Sequence, residues 1–143
     1  MKIACVIPAF NEERSIRWVV EKAKKYVDIV FVVDDGSSDN TAIEAEKEGA
    51  IVIKHPKNMG KGAALRTGFR YALEWGADIV VVIDGDGQHD PKDVPIVIRA
   101  LYAGADLVIG ERQSKYDESL LFKFGRLVCN LLLSIFLGEK YKD

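Results

Sequence analysis

The chain has 143 residues, the size of one ordinary domain, long enough to bury a single core and too short for two. A hydrophobic fraction of 48% beside 29% charged residues argues against a disordered chain, and a net charge of -2, from 20 basic and 22 acidic residues, provides no general attraction to nucleic acid. Cys5 and Cys129 lack the CxxC spacing of a zinc site and do not build a disulfide framework, so two buried thiols in a reducing compartment are expected.

The first apolar run, 3–7, begins almost at once, without the charged and then long apolar pattern of a signal peptide, and a cytoplasmic location is the expectation. Further runs follow at 29–33, 51–53 and 79–83, with a weaker fifth at 107–109. They are rich in Val and Ile and nearly continuous, as strands covered on both faces are. Helical spacing lies between them. Residues 15–26 carry Ile16, Val19, Val20 and Ala23 on one face, and 41–48 follow Ser37-Ser38-Asp39-Asn40, which offers an N-cap. Residues 61–75 repeat the pattern with Ala64, Leu65, Phe69, Ala72 and Leu73 inward, and 91–103 open with Pro91 in the first turn. After Gly110 comes a polar stretch, 111–119, with the character of a loop, and then an amphipathic pattern over 120–137. No apolar run reaches the roughly 18 to 20 residues that span a bilayer.

Strands alternating with helices predict an α/β fold: a doubly wound, mainly parallel sheet with helices on both faces, in a single domain over 1–143. Such sheets bind ligands at the carboxyl ends of their strands, where the winding reverses. Polar clusters sit at those ends: Pro8-Ala9-Phe10-Asn11-Glu12, Asp34-Asp35-Gly36-Ser37-Ser38-Asp39 and Asp84-Gly85-Asp86-Gly87-Gln88-His89-Asp90-Pro91. Any one of them could be only a turn, because Asn, Asp, Gly and Ser supply turn geometry and caps. Together they ask for more, since two strand ends carry several carboxylates that repel one another unless a cation or donor stands between them.

Two carboxylates two residues apart, Asp84 and Asp86, can converge on one hard cation while Gly85 lets the backbone approach a phosphate. A divalent ion held there can bridge the two phosphates of a nucleotide diphosphate. Gln88 is placed to add an oxygen ligand or hold a metal-bound water. One histidine among oxygen ligands suits Mg or Mn better than zinc, and His89 reads equally well as a hydrogen-bonding loop residue. Asn58-Met59-Gly60-Lys61-Gly62 opens a helix but lacks P-loop spacing, so NTP hydrolysis is not supported. Lys61 and nearby amides could approach a diphosphate, or form a glycine-rich turn with a solvated lysine. A dehydrogenase would need G-x-G-x-x-G where Pro8-Ala9-Phe10-Asn11 stands. A sugar nucleotidyltransferase would need a glycine-rich loop with a basic residue there, and a phosphoacceptor signalling domain leaves the Asp84 to His89 motif without a use.

Pro8 to Glu12, Val33-Asp34-Asp35-Gly36-Ser37-Ser38-Asp39-Asn40-Thr41, Asn58 to Gly62 and Asp84 to Pro91 resemble, in order and spacing, the motifs of the large inverting GT-A glycosyltransferase family (family 2). The likeness extends from Lys2 to about Arg112 and is greatest to the dolichyl-phosphate mannose or glucose synthase branch. The resemblance implies that Pro8, Phe10, Glu12, Val33 and Asp35 line a base and ribose pocket. It also implies that Asp84 and Asp86, with Gln88, hold Mg or Mn against the diphosphate of a GDP- or UDP-hexose, with Lys61 and Gly85 beside it. In that branch two arginines bind a polyprenyl (dolichyl) phosphate acceptor, and Arg112 and Arg126 stand where they are expected, so that Asp86, Arg112 and Arg126 become the candidate catalytic residues. Arg126 reads equally well as a solvated arginine on an amphipathic helix, and Asn130 departs from the serine expected near the acceptor phosphate.

Residues 1–112 thus read as the donor-binding part and 113–143 as a loop and helix on the acceptor side. The helix pattern over 120–137 suits the cytoplasmic face of a membrane as well as it suits a cover on the sheet. Family members continue past a position like Asp143, so the expectation is either a truncated chain or a natural protein that has lost part of its acceptor half. The non-enzyme alternative is a nucleotide-sugar-binding module that needs a partner or further residues for catalysis. Base, sugar and homo-oligomer formation stay open.

Overall fold

The computed structural model describes residues 1–110. The chain divides into a compact unit, Met1–Asp106, and a second one, Leu107–Asp143; every regular element described lies in the first. In chain order these are β1 (Ile3–Ala9), α1 (Ile16–Ala23), β2 (Ile29–Asp34), α2 (Thr41–Lys47), β3 (Ile51–Lys54), α3 (Lys61–Trp75), β4 (Ile79–Val82), a 3-10 turn (Pro91–Asp93) and α4 (Val94–Tyr102).

The four strands form one parallel sheet in the order β3-β2-β1-β4. The chain therefore winds outward from β1 to β3, then crosses back so that β4 pairs on the other side of β1. That reversal separates the ends of β1 and β4, the usual place for a ligand in an open α/β sheet. Register brings the ends of β1 and β2 level, with Ala9 opposite Asp34 and the Asp35 amide continuing the ladder onto the Ala9 carbonyl at 2.8 Å, while β4 stops earlier, with Val82 opposite Val6.

Successive β1 side chains point to opposite faces, and the core divides accordingly. On one face Cys5, Ile7 and Ala9 pack with Val30, Val32 and Val81 against Ile16, Val19 and Val20 of α1, Ala45 of α2 and Val94 and Ile98 of α4. On the other, Ala4, Val6 and Phe31 meet Ala72 of α3. The buried face of α1 is the one its spacing predicts: Ile16, Val19, Val20 and Ala23 are all fully buried, worth about 1.5–3 kcal/mol for each of the larger three. Burial pushes the Cys5 thiol up to about 12, leaving an inert core group.

Three expectations are corrected. Phe69 and Leu73 do not face inward: α3 buries Ala64, Gly68 and Ala72, while Phe69 is half-exposed and Leu73 is 70% exposed. A Cβ on Gly68 would collide with the Val6 side chain, so the small residues set how closely α3 lies on β1 and thereby rotate the larger ones outward. β3 is not covered on both faces: at the edge of the sheet, Ile51 is exposed and Val52 and Ile53 are only partly buried. The N-cap of α2 does fall within the expected cluster, at Asn40, with the Thr41 amide donating to Asp39 Oδ1 at 3.0 Å. Residues 107–109 form no strand, and Leu107 and Ile109 are exposed, because a strand requires a neighbour's backbone donors and acceptors and none is paired with them among the described residues.

Candidate functional site

At the carboxyl ends of β1, β2 and β4 lies a cavity of about 210 Å³, completed by the start of α3. β1 runs into Pro8, Ala9, Phe10 and Glu12, β2 into Asp35, and β4 into Asp84, Gly85 and Asp86, while the turn before α3 and its first residues contribute Asn58, Lys61 and Ala64. The strand-end motifs thus converge, which no single one of them could establish.

The loops are held by side chains. Asn11 adopts a left-handed backbone (φ 56°), which Asn tolerates better than most residues. Its amide donates to Ser37 Oγ at 2.9 Å and its side-chain oxygen accepts from the Ser38 amide at 2.9 Å. The buried Thr41 hydroxyl oxygen accepts from the Glu12 amide at 2.8 Å, and Asp39 accepts from the Glu13 amide at 3.1 Å. Burial alone would raise the Asp39 carboxyl, but bonds from the Thr41 hydroxyl and amide and the Glu13 amide outweigh it and hold the group below its ordinary range. The β4 turn is tied to α1 by Ser15, whose hydroxyl donates to the Gly85 carbonyl at 2.7 Å.

On the β4 turn, Lys61 Nζ donates to Asp84 Oδ1 at 2.7 Å and His89 Nδ1 lies 3.8 Å from Asp84 Oδ2. Asp86 Oδ1 accepts from the Gln88 amide at 2.9 Å. Gly85 has a packing reason to be glycine, since its Cβ would stand 3.2 Å from Ala9 Cβ and 3.3 Å from the Pro8 carbonyl oxygen. The close approach of the turn to β1 thus leaves little room for a side chain there, whatever approaches from the cavity side.

The family model described as glycosyl transferase family 2 matches residues 4–142. The chain belongs to glycosyl transferase family 2. Among relatives in this family, an uncharacterized protein of Methanocaldococcus jannaschii is 47% identical over 120 residues, covering 82% of this chain and 49% of that protein. A UDP-N-acetylglucosamine–dolichyl-phosphate N-acetylglucosaminyltransferase of Methanococcus voltae is 38% identical over 151 residues, covering 92% of this chain and 60% of that one. The glucosyl-3-phosphoglycerate synthase of Mycobacterium tuberculosis, solved with Mn2+, UDP-glucose and phosphoglyceric acid, aligns with a TM-score of 0.70 and 29% identity over 94% of this chain and 50% of that one. The chain spans about half the length of the relatives it matches. The α/β architecture of parallel sheet and flanking helices is that of GT-A glycosyltransferases.

Of the residues singled out from the sequence, Pro8, Phe10, Glu12, Asp35, Lys61, Asp84, Gly85 and Asp86 lie together in the cavity wall. Val33 is fully buried within β2, and neither it nor Gln88 lies on that wall. Arg112, Arg126 and Asn130, with the helix pattern over 120–137, lie outside the described residues. No described helix is long and apolar enough to cross a membrane.

The donor set fits a hard divalent ion. Asp84 and Asp86 offer carboxylate oxygens from one turn at the edge of an open cavity. No group of three His, Cys, Asp or Glu side chains stands ready for a metal among the described residues, so an ion here would be completed by ligand oxygens and water, as Mg commonly is.

His55 belongs to none of the sequence motifs, yet it reaches the site. Its Nδ1 lies 2.7 Å from Asp35 Oδ1 and its Nε2 3.0 Å from Thr67 Oγ1. The Met59 amide also donates to Asp35 Oδ1 at 3.0 Å, and the Gly60 amide to Oδ2 at 2.7 Å. The donor that the carboxylate cluster requires is thus partly the protein's own. A signal was present: an aspartate at one strand end and a histidine directly after the next parallel strand fall at neighbouring sheet positions.

Proposed function

We propose that this chain is the donor-binding part of a metal-dependent inverting glycosyltransferase that moves a hexose from a GDP- or UDP-linked donor to a polyprenyl phosphate. The observation that carries the reading is the convergence of Asp84, Asp86 and Lys61 with Asp35, Glu12 and Phe10 in one cavity at the point where the sheet reverses its winding. Membership of family 2, the dolichyl-phosphate transferase of Methanococcus voltae and the metal- and UDP-glucose-bound synthase of Mycobacterium tuberculosis support it.

Asp84 and Asp86 hold the divalent ion, Mg or Mn, which supplies positive charge to a leaving diphosphate. Lys61, bonded to Asp84 and with 62% of its side chain exposed, adds an accessible ammonium for the same phosphates. Phe10 offers a half-exposed ring to the base or ribose, and Glu12 and Asp35 offer acceptor oxygens to ribose hydroxyls and base N–H groups. A phosphate acceptor is already an anion at neutral pH and needs positioning and charge stabilisation more than a general base. Arg112 and Arg126 are assigned that task, at the cytoplasmic face of a membrane where such a lipid lies. With the cavity aspartates used on metal and nucleotide, no residue is left as a covalent nucleophile among the described residues of the cavity wall, which favours a single in-line attack that inverts the anomeric centre.

Sugar transfer from a panel of nucleotide sugars to polyprenyl phosphate, with the full-length natural protein, tests the reading. An α-linked donor should yield a β-linked sugar phosphate, and Arg112→Ala should weaken acceptor use while leaving nucleotide affinity nearly intact. An α-linked product by NMR overturns the mechanism. Nucleotide-sugar binding without transfer to any acceptor favours a binding module instead.

A further inference from the structure

The turn into α3 has an unusual anchorage. Gly60 is the N-cap with φ 89°, and no side chain of its own can cap the helix. Its amide is held instead by Asp35 Oδ2 at 2.7 Å and Asn58 Oδ1 at 3.0 Å, and the preceding Met59 amide by Asp35 Oδ1 at 3.0 Å. The next residue is Lys61, whose ammonium reaches Asp84. Behind Asp35 stands His55, with 9% of its side chain exposed against 5% for Asp35. A carboxylate only accepts, so Nδ1 carries a proton and donates to it. Nε2 faces the Thr67 hydroxyl, which lies within α3 six residues past Lys61. One imidazole therefore joins the carboxylate that grips the start of the helix to a side chain almost two turns along it.

We propose that His55 is a positioning residue for the diphosphate end of the donor cavity: by bonding Asp35 and Thr67 at once, it sets where α3 begins and so where Lys61 meets the phosphates. This rests on the reading of the cavity as a nucleotide-diphosphate site. Asp35 thereby also clamps the turn before Lys61: three donors from the protein take three of its roughly four acceptor positions, leaving about one for a ligand in the cavity. Phosphate contact then depends on a residue that does not line the cavity.

A double-mutant cycle on the full-length chain tests the relay, with calorimetric affinities for UDP and, in parallel, GDP at saturating Mn. His55→Phe removes both ring bonds and Lys61→Met removes the ammonium. His55→Phe is expected to weaken the bound nucleotide about tenfold, the scale of one charge-assisted hydrogen bond, and to cost little further once Lys61 is gone. Thr67→Val, which keeps the helix and removes only the hydroxyl, should move affinity in the same direction and couple to Lys61 in the same way, so the test stands if His55→Phe folds poorly. Fully additive losses, or unchanged affinity in folded His55→Phe or Thr67→Val, overturn the positioning role. Wild-type protein that binds neither UDP nor GDP overturns the donor-site reading, and this inference with it.

Discussion

At Asp35, burial and hydrogen bonding pull in opposite directions. Desolvation alone would raise its carboxyl, yet bonds from the Met59 amide, His55 and the Gly60 amide outweigh it and leave the group below the ordinary aspartate range. A carboxyl whose folded-state pKa is depressed stabilises the fold fully above its unfolded value of about 3.9, and that contribution is lost as pH falls through the folded value. Asp39 acts in the same direction. Unfolding free energy should therefore fall below about pH 4, and the slope should shrink in Asp35→Asn. Urea titrations at a series of pH values check this, and an unchanged acid slope in the variant would assign the loss to other groups. At the β4 turn the consequence is for binding: Asp86→Ala should abolish the Mn-dependent part of nucleotide affinity while leaving the melting temperature nearly unchanged. Equal affinity in that variant at saturating Mn would count decisively against the metal site.

Among the elements, α3 shows where periodicity stops being informative. Spacing places Ala64, Leu65, Phe69, Ala72 and Leu73 inward; Ala64 and Ala72 are buried and Leu65 packs against the core, while Phe69 and Leu73 are turned outward. The sheet selects the small-residue side of that stripe, because Ala64, Gly68 and Ala72 allow the helix axis to lie close to β1, with Gly68 against Val6. Gly68→Ala should thus destabilise the domain by about 1–3 kcal/mol despite the gain in helix propensity, the usual scale of overpacking. Leu73→Lys, at an exposed position, should change stability by no more than about 0.5 kcal/mol. Chemical denaturation of both variants decides the rotation of α3, and the reverse order of effects would return Leu73 to the buried side. Gly36 is constrained more severely: its φ is 78°, and a Cβ there would stand 2.5 Å from the Lys57 carbonyl carbon, where the loop after β2 passes the turn before α3.

For the molecule as a whole, binding at the cavity joins elements far apart in sequence, so it should be read as stability. A nucleoside diphosphate at 100 times its dissociation constant should add about 2.7 kcal/mol, and most of that gain should vanish when a chelator removes the divalent ion. Thermal shift with UDP and GDP, each with Mn and with EDTA, measures it and at the same time identifies the preferred base. A stabilisation unaffected by EDTA would place the binding energy on Lys61 and the loops instead of the ion.

Much of this was legible in the sequence because it depends on local chemistry. Continuous Val and Ile runs predict the four strands, though β3 at the sheet edge buries none of its residues; the spacing in 15–26 predicts the buried face of α1, and strand-end clusters such as Asp84-Gly85-Asp86 identify the candidate site and, by resemblance, the family. What only the tertiary structure decided is whatever depends on two segments meeting at a particular distance. The rotation of α3 follows from the clearance at Val6, the space at Gly85 is narrowed by the end of β1, and His55 joins Asp35 to Thr67 only because β2 and β3 pair in parallel with α3 laid across them. Residue pattern reports which surfaces prefer to be buried; it does not report how closely two backbones approach, and that distance sets which side chains touch.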